Sequence, residues 1–206
     1  MKKVLIVAIL WLLTINANAQ LVPLDCDGRD SAYVESIVKR SQKIVDGLQL
    51  DDQKTARHVR NIIANRYFLL NDIHSKFDKS QQAERDAELY KHHFELASAL
   101  SLYLTDEQID AVKDGMTFGR LKRDYQATQE MIPTLSEFEK QQILIWLKEA
   151  REYAMDAADS KGKHFWFDKY RGRTNNWLSK RGYDLVKERE GWYQRIEEQK
   201  KANGKQ

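Results

Sequence analysis

The chain has 206 residues and a formal net charge of +3, from 34 basic and 31 acidic side chains. A balance this close to neutral gives no support for nucleic-acid binding through overall charge, so no nucleic-acid partner is predicted. Cys26 is the only cysteine in the sequence, which excludes an internal disulfide and a zinc site built from cysteines.

The first nineteen residues have the three parts of a secretory signal peptide. Met1–Lys3 carries positive charge, Val4–Leu13 is apolar, and Ala17–Ala19 has the A-x-A form that precedes a cleavage site. This apolar stretch is too short to cross ~30 Å of hydrocarbon, and no later stretch is long and apolar enough, so no transmembrane anchor is predicted. We predict cleavage between Ala19 and Gln20 and a periplasmic or extracellular location. The mature chain would have about 187 residues and a net charge of +1, because two lysines leave with the signal.

The composition after the signal predicts an all-α protein. Lys, Glu, Gln, Ala and Leu are abundant, whereas prolines occur only at Pro23 and Pro133, and no alternating apolar pattern indicates a strand. We expect one domain, a bundle of about six to eight helices over residues 31–200. An extended lead-in over 20–30 would precede it, and a frayed tail over 201–206 would follow it.

The first half of the predicted domain contains three helices. The first begins at Ser31 and ends near Gly47, and the second opens near Asp52, whose negative charge suits a helix N-terminus. A third is predicted over 80–103. Glycines at 115 and 119 then indicate a bend before a short helix over 125–132.

Two predicted helix starts share one sequence motif. Thr105 is followed three residues later by Gln108, and Ser136 by Glu139, which is the capping-box pattern. The repetition is consistent with a duplicated helical unit or with shared capping chemistry alone. The remaining helices are predicted over 137–158, 163–181 and 184–200, with Gly182 ending the second of these.

The most unusual segment is 163–177, rich in both aromatic and basic residues. On a helix at 100° per residue it sorts into two opposite arcs. The aromatic arc, interpreted mainly as core, contains Trp166, Phe167, Tyr170, Thr174, Trp177 and Leu178. The opposite, basic arc contains Lys169, Gly172, Arg173, Asn176 and Lys180.

The basic arc has two interpretations. Residues 161–181 hold seven basic side chains against one acidic side chain, Asp168. Gly172 costs ~1 kcal/mol inside a helix, which calls for a close approach by a ligand or another backbone. Arg173 and Asn176 beside it suit a carboxylate or sugar hydroxyls. The alternative is an ordinary solvated face on which Gly172 accommodates a neighbouring helix.

Signals for catalysis or metal binding are weak. Glu88, His92 and Glu95 have helical spacing, but a metal site needs more convergent ligands, and the paired Glu-x-x-His units of di-iron bundles are lacking. No G-x-S-x-G, H-E-x-x-H or Gly-rich phosphate loop occurs. We therefore predict no metal and no cofactor, and assign no catalytic residue. A glycosidase-type carboxylate pair stays open, although no pair is identifiable.

Several segments together resemble a family of secreted, all-helical Bacteroidetes proteins of unknown function. The segments are Leu104–Thr117, Ile143–Arg151, Met155–Ala157, Lys163–Arg173, Asn175–Asn176 and Gly182–Asp184. The Ala17–Gln20 junction is also similar to exported proteins of that phylum. The resemblance implies an all-helical secreted protein, often encoded near glycan-degrading enzymes, and carries over no catalytic residue.

Three functions follow as hypotheses. The first is an extracytoplasmic binding or accessory protein for glycan use, whose basic arc contacts an acidic oligosaccharide or polysaccharide. The second is a periplasmic helical chaperone or interaction protein with another exported protein as partner, because the two capping-box segments resemble a motif of small stress chaperones. The third is a polysaccharide-active enzyme. A binding role is favoured over an enzymatic one.

Overall fold

The computed structural model describes residues 21–203, so the predicted signal peptide, its cleavage point and residues 204–206 lie outside the described part. Every regular element within it is an α-helix, which confirms the all-α prediction. None of these helices is both long enough and apolar enough to cross a membrane. The nine helices of the described chain are α1 (Ser31–Asp46), α2 (Gln53–Lys76), α3 (Gln82–His92), α4 (Glu95–Leu100), α5 (Asp106–Met116), α6 (Arg120–Met131), α7 (Glu137–Met155), α8 (Ser160–Lys180) and α9 (Leu185–Asn203).

Both predicted capping boxes are confirmed. At the start of α5 the Thr105 hydroxyl accepts the backbone N–H of Gln108, whose side chain accepts the N–H of Thr105. Ser136 and Glu139 make the same exchange at the start of α7. Each box satisfies two backbone donors that have no partner inside their helix. This local chemistry accounts for the repeated pattern without a duplicated unit.

The predicted end of α8 at Gly182 is also confirmed. Gly182 has φ 97°, a left-handed conformation that favours glycine. Its N–H donates to the Ser179 carbonyl at 3.1 Å, and the Tyr183 N–H donates to the Leu178 carbonyl at 3.2 Å. This pair of bonds is the Schellman motif, which satisfies the last carbonyls of a helix.

Several predicted boundaries differ from the structure, among them the ends of α7 at Met155 rather than 158 and of α9 at Asn203 rather than 200. The third predicted helix is two helices, because the chain breaks at His93 and Phe94 between α3 and α4. The break directs the His93 ring to Asp156, which lies 2.6 Å away between α7 and α8. Helix α6 begins at Arg120 rather than 125, directly after Gly119 with its φ of 65°. Helix α8 begins at Ser160, capped by the Asp159 carboxylate.

The buried apolar side chains form two main clusters. The first lies among α1, α2, α4 and α5 and is centred on Val59, Ile63 and Leu100. The second lies among α6, α7 and α8 and contains Phe167 and Leu178. Helices α7 and α8 pack along each other, and α5 packs against α7 to join the two halves.

A buried ion network ties α2 to the α7–α8 connection. The Arg66 side chain is 3% exposed, and its guanidinium lies 2.5 Å from the Asp156 carboxylate. The same guanidinium donates to the His92 carbonyl at 2.8 Å. The His74 ring contacts the Asp156 carbonyl at 2.7 Å. Asp156 therefore links α2 to the connection between α7 and α8.

Candidate ligand-binding face on helices α7 and α8

The five residues of the basic arc lie on one accessible surface of α8. Lys169, Gly172, Arg173, Asn176 and Lys180 are all exposed. The helical placement on which their predicted role depends is therefore present. Their contact with a ligand stays a prediction.

Gly172 faces open space. A Cβ atom built on it would meet no other atom within 4 Å. The interpretation that Gly172 accommodates a neighbouring helix is therefore wrong. The close helix approach occurs instead at Gly115, where an added Cβ would lie 3.1 Å from Cγ2 of Ile44 on α1.

This difference predicts that alanine stabilises the protein at Gly172 but not at Gly115. Gly172→Ala should raise the free energy of unfolding by about 0.5–1 kcal/mol, because alanine lowers the backbone entropy of the unfolded chain and nothing obstructs its methyl group. Gly115→Ala should give no gain, because its methyl group would press on Ile44. Denaturant unfolding followed by circular dichroism measures both. A loss of stability in Gly172→Ala would show that this face is not open.

The aromatic arc is only partly core. Phe167, Tyr170, Thr174 and Leu178 are buried, as the sequence predicts. The two tryptophans of α8, Trp166 and Trp177, are half-buried at the edge of the second cluster. Their rings therefore contribute to both the interior and the surface.

The two arcs are not separate, which corrects the prediction that they face opposite ways. The Lys169 ammonium lies 4.7 Å from the centroid of a Trp166 ring. The Arg173 guanidinium lies 4.7 Å from the centroid of a Trp146 ring on α7 and 5.7 Å from that of Tyr170. The reason is angular, since Arg173 and Trp166 are only about 20° apart around the helix axis at 100° per residue. Long basic side chains cross that gap easily.

Together these residues form a continuous aromatic and cationic strip, here called the α7–α8 face. It extends about 22 Å along α8 between Trp166 and Arg181, at 1.5 Å per residue. Tyr153 stacks on Trp166 with centroids 4.5 Å apart, and Trp146 meets Trp177 edge-on at 5.2 Å. The residues of the face are Phe138, Trp146, Tyr153, Trp166, Lys169, Tyr170, Arg173, Trp177 and Arg181.

Acidic residues of α7 offset part of the basic charge. Arg173 pairs with Glu149 at 3.3 Å, and Arg181 pairs with Glu139 at 2.6 Å. Within the described residues, Lys169 and Lys180 form no ion pair. The basic arc is thus less strongly charged than its sequence alone indicates, and its unpaired positive charge lies at these two lysines.

The Tyr170 phenol stays protonated on this face. Burial and the neighbouring Glu149 carboxylate both raise the pKa of Tyr170 well above its ordinary value. The group therefore remains a hydrogen-bond donor at every physiological pH.

The carboxylates of the face do not have the spacing of a glycosidase pair. Glu139 and Glu149 are ten residues apart on one helix, about 15 Å along its axis. The catalytic carboxyl groups of glycosidases are roughly 5–9.5 Å apart. Each carboxylate also forms an ion pair with an arginine.

The histidine cluster noted in the sequence lies on another surface. The His92 ring lies 2.9 Å from Glu95, across the break between α3 and α4, and 3.9 Å from Glu88 on α3. Across residues 21–203, no set of three or more His, Cys, Asp and Glu side chains has an arrangement that would hold a metal ion.

The sequence interpretation missed the contribution of α7. Phe138, Trp146 and Tyr153 supply half of the aromatic rings of the face, and Phe138 is 61% exposed. Their spacing of eight and seven residues places them on one side of a helix. That spacing is the sequence signal that could have identified these three residues as one surface. The pairing of α7 with α8 was not readable from either helix alone.

The fold and face define a class: an all-α protein with an accessible aromatic and cationic strip over two packed helices. The family model described as "Protein of unknown function (DUF3826)" matches residues 34–85 and 78–198. The chain therefore belongs to this family. No curated protein matches it at a significant level.

Proposed function

We propose that this protein is an extracytoplasmic binding protein for acidic oligosaccharides, which it contacts through the α7–α8 face. The observation that carries the proposal is the alternation of partly exposed aromatic rings and basic side chains along one open strip. Such a strip matches the two chemical features of a uronic-acid chain. These features are apolar C–H faces on the sugar rings and a carboxylate on each uronate.

The aromatic rings suit the sugar rings. The face of an aromatic ring carries partial negative charge, which attracts the weakly positive C–H groups of a pyranose. Tyr153 is 48% exposed although it stacks on Trp166, so part of the Tyr153 ring is accessible to a ligand.

The basic side chains suit the carboxylates. The Arg173–Glu149 pair is exposed, with side chains 52% and 43% accessible. An exposed pair of this kind is worth at most about 1 kcal/mol, so a ligand carboxylate can replace Glu149 at small cost. Lys169 is held over Trp166 and has no carboxylate partner within the described residues. The separation of Glu139 from Glu149 favours binding over hydrolysis.

A calorimetric titration with an oligogalacturonate tests the proposal. The wild-type protein should bind the oligogalacturonate and bind a neutral oligogalactose far more weakly. Arg173→Ala should weaken binding at least tenfold, because a charged hydrogen bond contributes ~1.5–3 kcal/mol.

Arg171 provides the matched control. It is also an exposed arginine of α8, but it pairs with Asp168 and lies off the α7–α8 face. Arg171→Ala removes the same charge and should change affinity less than twofold. Equal losses in the two variants would indicate non-specific charge attraction. A loss below twofold in Arg173→Ala would refute this face as the binding site.

A further inference from the structure

A separate cavity lies in the other half of the molecule. It has a volume of about 960 Å³ and is enclosed by α1, α2, α5 and the start of α8. This size is at the upper end of the ~300–1,000 Å³ typical of small-molecule sites. No residue of the α7–α8 face lines it.

One wall of the cavity is cationic. Arg40 and Lys43 are exposed on α1, whereas Lys163 of α8 is only 6% exposed. Within residues 21–203, none of the three forms an ion pair with a carboxylate. The Arg40 guanidinium and the Lys163 ammonium instead lie 5.6 Å and 5.5 Å from the centroid of the Tyr67 ring. Two cations beside one ring, with Lys43 lining the same cavity, form a wall suited to an anion.

Lys163 has hydrogen-bonding capacity to spare. Its ammonium donates to the Met116 carbonyl at 2.9 Å. That is its single hydrogen bond within the described part of the chain, although an ammonium has three donors. Burial, together with the positive charge of Arg40 and Arg66, lowers the pKa of Lys163 to about 8 despite the attraction of Asp156. An anion entering the cavity would therefore stabilise the charged amine.

Other residues of the cavity supply hydrogen-bond acceptors. Asp114 and Asp159 both line it, as do Ser36 and Asn71. One carboxylate oxygen of Asp114, Oδ1, is buried and has no hydrogen-bond partner within the described residues. Burial also raises the pKa of Asp114. An unsatisfied buried acceptor of this kind is matched by a hydroxyl donor.

We propose that this cavity binds a small sugar acid, with the carboxylate toward Arg40, Lys43 and Lys163 and the hydroxyl groups toward Asp114 and Asn71. The site is independent of the α7–α8 face. It takes a free mono- or disaccharide acid, whereas the face takes a longer chain.

Titration with galacturonate tests the proposal, with galactose and acetate as comparison ligands. Wild type should bind galacturonate more tightly than either, because the cavity offers partners to both the carboxylate and the hydroxyls. Arg40→Gln should weaken galacturonate binding at least tenfold. Arg57→Gln, at an exposed arginine of α2 outside the cavity, should change it less than twofold.

Arg173→Ala should leave galacturonate binding intact, so this site and the α7–α8 face can fail independently. Galactose binding as tightly as galacturonate would overturn the proposal, since the cations would then have no role. Acetate binding as tightly would overturn it too, since the hydroxyl partners would have none. A loss below twofold in Arg40→Gln would remove the site itself.

The pH dependence gives a second measurement. With a pKa of about 8 for Lys163, ~3% of the amine is charged at pH 9.5, so galacturonate should bind up to about 30-fold more weakly there than at pH 7. Tyr67, whose pKa burial raises to about 12, stays neutral over this range. The neighbouring arginines Arg40 and Arg66 stay charged. The carboxyl groups that line the cavity with Lys163 are Asp114 and Asp159. Asp156 acts to raise the pKa of Lys163.

Two variants complete the pH experiment. Lys163→Met should remove most of the pH dependence, whereas Lys43→Gln should preserve it, because Lys43 lies exposed in solvent. Thermal unfolding checks that Lys163→Met is folded. If Lys163→Met does not fold, the galacturonate affinity of Arg40→Gln and the wild-type pH profile test the site instead. A wild-type affinity that is equal at pH 7 and 9.5 would overturn the role of Lys163.

Discussion

Asp156→Ala should lower the free energy of unfolding by about 3–5 kcal/mol, the range for breaking a buried ion pair from one side. The cost arises from Arg66, whose side chain is 3% exposed and cannot move its charge to water. Within the described residues, its Nε already lacks a hydrogen-bond partner. Loss of Asp156 would leave a second guanidinium nitrogen unpaired and would free the His93 ring as well.

Unfolding in guanidinium chloride, followed by circular dichroism, measures the loss of stability in Asp156→Ala. Glu149→Ala is the control, because it breaks an arginine–carboxylate pair in which both side chains are exposed. That control should lose no more than about 1 kcal/mol. A loss below about 1 kcal/mol in Asp156→Ala would mean that Arg66 reaches another partner and that the two halves are not joined here.

Glu139→Gln should lower the free energy of unfolding by about 1.5–3 kcal/mol at pH 7, and the deficit should shrink on acidification. The Glu139 side chain is 5% exposed and lies 2.6 Å from the Arg181 guanidinium. It also accepts from the Ser136 backbone and the Tyr183 hydroxyl, both at 2.8 Å. It therefore joins the start of α7 to the turn between α8 and α9.

The sign of the pH effect follows from the pKa of Glu139. Although burial acts to raise it, the hydrogen bonds from Arg181, Ser136 and Tyr183 lower the pKa of Glu139 from 4.5 to about 2. The unfolded chain therefore takes up the proton first as pH falls. The stabilisation is complete above the unfolded pKa and is lost progressively as pH falls from about 5 toward 2.

Unfolding curves at pH 7, 5 and 3 test this dependence. Wild type should lose more stability than Glu139→Gln between pH 5 and 3, so the two curves converge. Glu137→Gln is the matched control, because Glu137 belongs to the same helical turn but is 81% exposed. It should stay within about 0.5 kcal/mol of wild type. A constant difference between wild type and Glu139→Gln at all three pH values would contradict the assigned role.

The helices and their caps were largely predictable because they depend on local chemistry. The capping boxes at Thr105 and Ser136, and the left-handed glycine at Gly182, involve residues within a few positions of one another. The break between α3 and α4 was not predictable in this way. It coincides with the contact of His93 with Asp156, sixty-three residues away in the chain.

Only the α8 half of the candidate site was predictable from the sequence. The exposure of Lys169, Arg173 and Asn176 follows from helical periodicity on α8 alone. The partners that give the site its character, Trp146 and Glu149, come from α7. Periodicity says which side of a helix is polar, but not which helix packs beside it.

The sequence by itself determined the all-α class, the two capping-box helix starts and the open side of α8, because each depends on residues within one or two helical turns. Only the tertiary structure decided the aromatic and cationic strip, the buried Arg66–Asp156 pair and the cavity at Lys163. These features bring together residues from distant helices, and that proximity is set by how the two apolar clusters pack. In particular, Lys163 belongs to a strongly basic segment of the sequence, yet packing buries it at Met116 and lowers the pKa of its amine.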